Sequence, residues 1–361
     1  MISDCKSKKW FAVQLKPVGS FCNLRCDYCY AHAGKAPRIR MSELVLNSVV
    51  EKIMNQDYPY PTFSWHGGEP TMVGHDFFLR AIELMETYKK PGQNFYNLIQ
   101  TNATLIDLKM ADFFKEYNFG VSISLDGPEH IHGRHRKDSS GKNSFEKVMV
   151  GVENLRSAGI NPSVICTVSK ENISFVEETF HFLIDNGFDK IKYNPVFDSV
   201  QDNFSINNEE WFDYLKKIFD LWFDLSDPTI QIRDLDEVIA WIGKKPLNLC
   251  SSNKTCLNWI SIDPKGVIYP CEYLKTDYVY GNILYDELEK IFLTDAYKKF
   301  EEMFNYIPSK CRECEFLEFC GNGCPMIRVK NNKISFDGVY AFCEQRKKLF
   351  YEIKNSFDQL I

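Results

Sequence analysis

The sequence predicts an α/β protein with a partial (β/α)6 TIM-like barrel, and three observations lead to that prediction. Strand-like and helix-like segments alternate through residues 10–205, which favours a parallel sheet with crossover helices. Polar and glycine-rich segments follow the strands, where an active site at the carboxyl ends of parallel strands requires them. Near residue 245 the pattern changes to short strands punctuated by glycine and cysteine, which indicates a second domain.

Apolar periodicity places the barrel elements in order. The expected strands are residues 11–17, 62–65, 95–100, 120–125, 163–168 and 190–194. The expected helices are residues 42–55, 77–88, 105–117, 145–158 and 173–186. These make about six β–α units, fewer than the eight of a closed barrel, so we expect an open or partial barrel.

Three regions are expected along the chain. Residues 1–205 form the barrel, and residues 206–245 form an aromatic-rich pair of bridging helices. Residues 246–361 form a cysteine-rich domain that ends in a helix over residues 343–357.

Composition narrows the class of protein. Hydrophobic residues make up 44% of the 361 residues and charged residues 25%, values that permit a full core. The net charge of −6, without a basic stripe, argues against a nucleic-acid partner. Neither a signal peptide nor a run of about 18 apolar residues is present, so we expect a cytoplasmic protein without a membrane partner.

Thirteen cysteines are the unusual feature of the composition. A disulfide framework is typical of small secreted chains, whereas clustered thiols in a protein of this kind more often bind metal. Cys22, Cys26 and Cys29 have the spacing C-x3-C-x2-C after the first strand. Three thiolates can hold three irons of a 4Fe-4S cube, which leaves the fourth iron open to a small molecule.

This cysteine loop, with Tyr28 before its third cysteine, resembles the radical S-adenosylmethionine (SAM) superfamily. The sequence Gly67-Gly68-Glu69-Pro70 after the second strand strengthens the resemblance, because that family holds the methionine amino group at a GGEP turn. The resemblance implies that Tyr28 lies against the adenine and that Ser124 and Arg136 are candidates for the cofactor's carboxylate. It also implies that the third strand end contributes Gln100, Asn102 and Thr104.

The resemblance implies a chemistry as well. A low-potential donor such as flavodoxin or ferredoxin reduces the cluster, which passes one electron to the sulfonium of SAM. The resulting 5′-deoxyadenosyl radical takes a hydrogen atom from an unactivated carbon, and the protein aims that carbon and excludes water.

Eight further thiols lie in the C-terminal region. By spacing alone, a C-x2-C pair with two more thiols could hold zinc. Beside the radical motif, the array resembles the SPASM extension of peptide-modifying radical enzymes, which implies two auxiliary 4Fe-4S clusters with full cysteine ligation. One cluster would take Cys250, Cys256, Cys271 and Cys324. The other would take Cys311, Cys314, Cys320 and Cys343. Cys5 and Cys166 remain, and Cys166 is expected to be buried in a strand.

Glu272 directly follows Cys271. In the anaerobic sulfatase-maturating enzymes, an aspartate at this place is assigned as the base that deprotonates the substrate side chain. The resemblance therefore makes Glu272 a candidate base, and a solvated or salt-bridged acid is the alternative. Two histidine groups are expected to be non-catalytic: His66 as a hydrogen-bonded loop residue, and a solvated loop group of His130, His132 and His135.

The resemblance implies an enzyme that modifies a peptide or protein. The sequence favours maturation of a ribosomally made peptide by cross-linking or oxidation, since Glu272 replaces aspartate and Tyr193-Asn194-Pro195 closes the sixth strand. The alternative product is formylglycine, made from cysteine or serine in a sulfatase, which the C-terminal cysteine spacing and the length favour. A non-enzymatic iron–sulfur or zinc protein, for electron transfer or structure, is the alternative of another class. The sequence alone names neither the substrate nor the oligomeric state.

Overall fold

The computed structural model describes residues 10–31, 36–197, 203–247, 249, 255–274, 277–331 and 333–358. The chain divides into two compact units that interleave along the sequence. Unit 1 comprises residues 1–123, 136–162 and 257–301, and unit 2 comprises residues 124–135, 163–256 and 302–361. The domain boundaries expected near residues 205 and 245 remain a prediction.

The strands of the described residues are, in chain order, β1 Trp10–Leu15, β2 Tyr60–Trp65, β3 Tyr96–Thr101, β4 Gly120–Ser124, β5 Ser163–Val168, β6 Lys190–Pro195, β7 Gln231–Ile232, β8 Trp259–Ile262, β9 Val267–Tyr269, β10 Gly281–Asn282, β11 Arg328–Lys330, β12 Lys333–Ile334 and β13 Val339–Tyr340.

The helices are α1 Glu43–Met54, α2 His75–Tyr88, α3 Leu108–Glu116, α4 Glu129–His135, α5 Phe145–Ser157, α6 Val176–Asp185, α7 Asn208–Leu225, α8 Arg233–Ile242, α9 Leu288–Ile291, α10 Asp295–Asn305, α11 Ser309–Arg312, α12 Leu317–Cys320 and α13 Cys343–Asp358. Short 3-10 helices cover Pro70–Val73, Ile173–Phe175, Thr255–Asn258, Glu272–Leu274 and Pro325–Ile327. Among all these helices, none is both long and apolar enough to cross a bilayer.

Unit 1 contains the first predicted β–α units. Strands β1, β2, β3 and β4 pair in that order and in parallel, with α1, α2 and α3 between successive strands. In their register Leu15 lies opposite Trp65, and Trp65 opposite Ile99, so β1 and β2 end at one level and β3 continues to Thr101. The loops that carry the cysteines, the GGEP turn and residues 102–104 therefore leave the same edge of the sheet.

One feature of unit 1 was not expected from the sequence. Strand β8 pairs in parallel with β1, and the antiparallel strands β9 and β10 follow it outward. Residues expected in a separate C-terminal domain thus extend the sheet of the barrel. Ser261 Oγ donates to Gln14 Oε1 across this pairing, at 2.8 Å.

Unit 2 contains the parallel strands β5, β6 and β7 and a small antiparallel sheet in the order β12-β11-β13. The expected bridging pair is present as α7 and α8, and α13 contacts both. A capping box starts α7: Asn207 Oδ1 accepts from the Glu210 amide at 3.0 Å, and the Glu210 carboxylate accepts from the Asn207 amide at 2.7 Å.

Candidate active site

The GGEP turn after β2 lies directly against the loop that leads into the first cysteines. The Gly68 amide donates to Gly19 O at 2.8 Å, and the Glu69 amide donates to Phe21 O at 2.9 Å. A Cβ on Gly68 would lie 1.8 Å from Phe21 O. A Cβ on Gly67, whose φ is +89°, would lie 2.5 Å from Gly19 O. Both positions therefore require glycine for the turn to reach the cysteine loop.

Glu69 is fully buried and connects the ends of β2 and β3. Its Oε1 accepts from the Thr71 amide at 3.0 Å and from the hydroxyls of Thr71 and Thr101, each at 2.7 Å. Its Oε2 accepts from the Asn102 amide at 2.6 Å. Burial raises the pKa of Glu69, and these four hydrogen bonds oppose that rise. Because its carboxylate is satisfied within the chain, Glu69 serves the site by fixing the backbone of the turn.

Asn102 connects the end of β3 to the cysteine loop. Its Nδ2 donates to Asn23 Oδ1 at 2.9 Å and lies 3.7 Å from Cys22 Sγ. Its Oδ1 accepts from the amide and hydroxyl of Thr104, at 3.0 and 2.7 Å. Asn23 Nδ2 donates to Thr104 Oγ1 at 2.8 Å, so the three polar side chains hold the first cysteine in place. Sequence reasoning missed Asn23, although its place directly after Cys22 was a signal.

The three thiols of the loop interact electrostatically. Burial is the main reason that the pKa of Cys22 rises to about 12, and Glu69, Cys26 and Cys29 add to the rise. Cysteine binds metal as thiolate, so a bound cation replaces the thiol proton. A cube takes one thiolate per iron, and this donor set fits three irons. Within the described ranges, no group of three His, Cys, Asp or Glu side chains lies close enough together to bind a single metal ion. A cube differs from such a site, because each of its thiolates binds a different iron.

The structure brings two predicted cofactor residues together. The Arg136 guanidinium lies 5.5 Å from the ring centroid of Tyr28, and the arginine is only 7% exposed. The Arg25 amide donates to Lys137 O at 2.7 Å, which joins the cysteine loop to the segment that carries Arg136. Of the other predicted contacts, Gln100 lies near the end of β3 and Ser124 is the last residue of β4. Their binding of SAM remains a prediction.

Of the two expectations for the histidines, one is confirmed and the other is wrong. His66 Nδ1 accepts a hydrogen bond from the Gly67 amide at 2.6 Å, as expected of a loop histidine. His130, His132 and His135 are not a solvated loop group, since they lie on α4 and two of them are buried. His135 Nε2 lies 3.0 Å from Ser169 Oγ. A helix of only seven residues shows too little periodicity to be recognised in a polar segment.

Four of the predicted auxiliary-cluster ligands share a cavity in unit 2. Cys311, Cys314, Cys320 and Cys343 line it together with Arg346. Burial raises the pKa of Cys311, and neighbouring Cys320 and Cys314 raise it further. Burial likewise raises the pKa of Cys343 to about 11. Four thiols around one cavity fit a cluster with full cysteine ligation.

The other predicted ligand set is only partly described. Cys250 lies outside the described residues, as does Cys5. Cys256 lies in a 3-10 helix, Cys271 follows β9, and Cys324 caps the 3-10 helix at Pro325–Ile327. Cys166 is buried on β5, as predicted.

Glu272 is a buried, salt-bridged acid. It forms an ion pair with Lys16, which directly follows β1, and the two residues are 8% and 1% exposed. The Lys16 ammonium also lies 5.6 Å from the centroid of the Tyr269 ring. Sequence reasoning missed Lys16, although a lysine at the end of an apolar strand and next to proline was a signal. Contact between Glu272 and a substrate remains a prediction.

Comparisons with known proteins agree with this geometry. Residues 17–183 match the Radical SAM superfamily, and residues 250–315 match SPASM, an iron–sulfur cluster-binding domain. The chain is therefore a radical SAM enzyme with a SPASM domain, and the predicted cofactor classes, SAM and iron–sulfur clusters, are confirmed.

Relatives aligned along the whole chain identify the narrower family. The serine-type anaerobic sulfatase-maturating enzyme of Bacteroides thetaiotaomicron is 30% identical over 96% of this chain and 90% of its own. The cysteine-type enzyme of Clostridium novyi is 30% identical over 95% of both chains. The chain belongs to the same family as these enzymes.

Solved structures confirm the α/β fold with its radical SAM and SPASM parts. The structure of anSMEcpe with bound AdoMet and a Cp18Cys peptide has a TM-score of 0.88 and 28% identity, covering 98% of both chains. Streptococcus suis SuiB with bound S-adenosylmethionine has a TM-score of 0.64 and 16% identity, covering 87% of this chain and 72% of its own. The likeness to SuiB shows the fold alone.

Proposed function

We propose that this enzyme oxidises a cysteine or serine side chain of a sulfatase to formylglycine. The observation that carries the proposal is the alignment, over nearly the full length of both chains, with serine-type and cysteine-type sulfatase-maturating enzymes. This favours the alternative product over the peptide maturation that the sequence suggested first.

The cofactor site is proposed at the loop edge of unit 1. Cys22, Cys26 and Cys29 would hold the cluster, with the backbone of the GGEP turn and the pair of Tyr28 and Arg136 positioning SAM. The cluster, reduced by a donor such as flavodoxin or ferredoxin, and SAM would together supply a 5′-deoxyadenosyl radical able to take one hydrogen atom. Glu69 and Asn102 support this by fixing the two loops, through the contacts of 2.6–3.7 Å described above.

The proposed oxidation removes two electrons from the substrate Cβ. One leaves with the abstracted hydrogen atom, and the second leaves as an electron after the thiol or hydroxyl has lost its proton. Serine then yields the aldehyde directly, whereas cysteine yields a thioaldehyde that water converts to the aldehyde with release of hydrogen sulfide. Glu272 is the proposed proton acceptor. Either C-terminal thiol set would hold an auxiliary cluster, and such a cluster would supply a site that can take up the second electron.

Maturation of a ribosomally made peptide remains the second candidate. The observation that favours it is the glutamate at position 272, where the sulfatase-maturating enzymes are assigned an aspartate. The extra methylene places the carboxylate at a different distance from its backbone, and the ion pair with Lys16 fixes its direction.

A peptide assay tests the proposal. Anaerobically reconstituted enzyme with SAM and dithionite is incubated with matched peptides that carry cysteine, serine or alanine at the modified position of a sulfatase. We expect formylglycine, seen by mass spectrometry and by reaction with an aldehyde probe, from at least one of the first two peptides. Release of 5′-deoxyadenosine without any aldehyde from either peptide would contradict the substrate assignment.

A further inference from the structure

Arg328, the first residue of β11, is a fully buried cation without a carboxylate partner in the part of the chain that the structure describes. Each of its five N–H donors is directed at a backbone carbonyl instead. The acceptors are the carbonyl oxygens of Asn322 at 3.0 Å, Met303 at 2.8 Å, Phe304 at 3.2 Å, Gly323 at 3.3 Å and Phe336 at 3.5 Å. Neutral carbonyls solvate a guanidinium, but they do not neutralise its charge.

Two of these carbonyls belong to the loop between the predicted cluster sets. Asn322 and Gly323 lie between Cys320, assigned to one set, and Cys324, assigned to the other. The loop has a left-handed backbone conformation that favours glycine and asparagine, since residues 321, 322 and 323 have φ values of 55°, 66° and 59°. A Cβ on Gly323 would lie 2.3 Å from the Tyr340 ring.

Asn322 fixes the same loop from its other side. Its buried side chain accepts from the Tyr340 amide at 3.0 Å and donates to Gly338 O at 3.1 Å. Its Oδ1 also lies 3.6 Å from Cys311 Sγ, a ligand of the set that shares the cavity. The loop that Arg328 binds therefore contacts one predicted ligand of the first set, Cys311, and runs directly into a predicted ligand of the other set, Cys324.

We propose that Arg328 is a positive charge shared by the two auxiliary clusters and that it raises the reduction potential of both. Burial lowers the pKa of Arg328, and the thiols of Cys324, Cys311, Cys320 and Cys256, drawn from both sets, oppose that change. A cube with four thiolates is an anion whose negative charge grows by one on reduction, so a fixed cation nearby favours the reduced form. Because Arg328 is buried in a low-dielectric interior, its charge stabilises the reduced cluster more strongly than it would in water.

This inference deepens the proposed function and rests on its cluster sites. If an auxiliary cluster accepts the substrate electron, a cation that favours the reduced cluster makes that step more favourable. Iron content tests whether the two thiol sets bind clusters, and the reduction potential of those clusters tests the role of Arg328. Failure of the cluster assignment can therefore be told from failure of the Arg328 proposal.

The experiment is an anaerobic redox titration followed by electron paramagnetic resonance. The background is the full chain with Cys22→Ala, Cys26→Ala and Cys29→Ala, which leaves only the auxiliary clusters. At a fixed potential, Arg328→Met is expected to lower the reduced-to-oxidised ratio of both clusters by roughly tenfold, about 59 mV for a one-electron couple. Arg328→Lys, which keeps the charge, is expected to stay within about threefold of the parent.

A second arginine serves as the matched control. Arg346 Nη1 lies 3.8 Å from Cys320 Sγ, and Arg346 lines the cavity of one thiol set. We expect Arg346→Met to shift one of the two clusters and Arg328→Met to shift both. Arg80→Met, at an exposed position of α2, is expected to shift neither.

A second neutral variant keeps the test decisive if Arg328→Met does not fold. Arg328→Gln removes the positive charge and keeps an amide group that can donate two hydrogen bonds to the carbonyls. We expect it to lower the reduced fraction of both clusters in the same direction. Unchanged potentials in folded, cluster-loaded Arg328→Met or Arg328→Gln would overturn the proposal, and so would an equal shift in Arg328→Lys and Arg328→Met.

Discussion

Several polar side chains at the proposed cofactor site hold its loops in place. Glu69 and Asn102, both predicted to bind SAM, use their side chains on the chain itself. Glu272 is also buried and pairs with Lys16, beside a predicted cluster ligand. Its proposed role as the base is tested by substitution.

Replacing Glu272 with glutamine should stop product formation while SAM cleavage continues without coupling to the peptide. An amide has no comparable basicity, so it cannot take the substrate proton. The measurement is the ratio of formylglycine to 5′-deoxyadenosine, which we expect to fall at least about a hundredfold, the low end of general-base effects.

Stability is the necessary control for that variant. Glu272→Gln breaks the buried ion pair with Lys16, and breaking a buried pair by removing one partner costs about 3–5 kcal/mol. The double variant Lys16→Met/Glu272→Gln removes both charges and should recover much of that stability without recovering product. Product formation by either folded variant would show that Glu272 is not the base.

Gly68→Ala tests the contact between the GGEP turn and the cysteine loop. The new Cβ would lie 1.8 Å from Phe21 O, so the two loops must separate. We expect weaker SAM binding, by at least about tenfold, and lower iron content of the radical cluster, while auxiliary clusters stay loaded. Gly120→Ala is the matched control, since its close contact is with the end of the Leu98 side chain, at 2.6 Å, and Asn97 O lies at an ordinary 3.8 Å. An equal loss there would argue against the contact between the turn and the cysteine loop.

At the scale of elements, the sequence predicts β1 to β6 and the loops that follow them well, because apolar runs bounded by turn residues repeat. The GGEP turn and the C-x3-C-x2-C loop are short motifs whose spacing defines a local chemistry, so they could be placed from sequence. The pairing of β8 with β1 could not be predicted from sequence. It joins residues about 250 positions apart, and neither strand carries a sequence signal for the other. The helix α4 was missed because its seven residues show too little periodicity. Lys16 was missed as the partner of Glu272 because the two residues lie far apart in the chain.

The capping box of α7 offers a test at the same scale. Asn207→Ala removes the acceptor of the Glu210 amide, and the helix of 18 residues should lose about 1 kcal/mol of stability. Unfolding by denaturant measures this. Asn207→Ser keeps a capping oxygen and should lie within a few tenths of a kcal/mol of the parent. Equal stability of all three proteins would show that the cap does not support the bridging helices.

For the whole molecule, the ligand sets predict a metal content. Three cubes give about twelve irons per chain in anaerobically purified protein, with little zinc. The variant Cys22→Ala/Cys26→Ala/Cys29→Ala should keep about eight irons, since its two auxiliary sets are intact. About four irons with zinc in the parent protein would instead support a zinc site in the C-terminal region and contradict the two auxiliary clusters.

The central claim is that the radical takes a hydrogen atom from Cβ of a sulfatase cysteine or serine. The most direct measurement uses a sulfatase peptide with deuterium on that Cβ and follows the label by mass spectrometry under anaerobic turnover. We expect deuterium in 5′-deoxyadenosine and formylglycine in the peptide, formed in equal amounts. Deuterium retained in the peptide while unlabelled 5′-deoxyadenosine accumulates would contradict it.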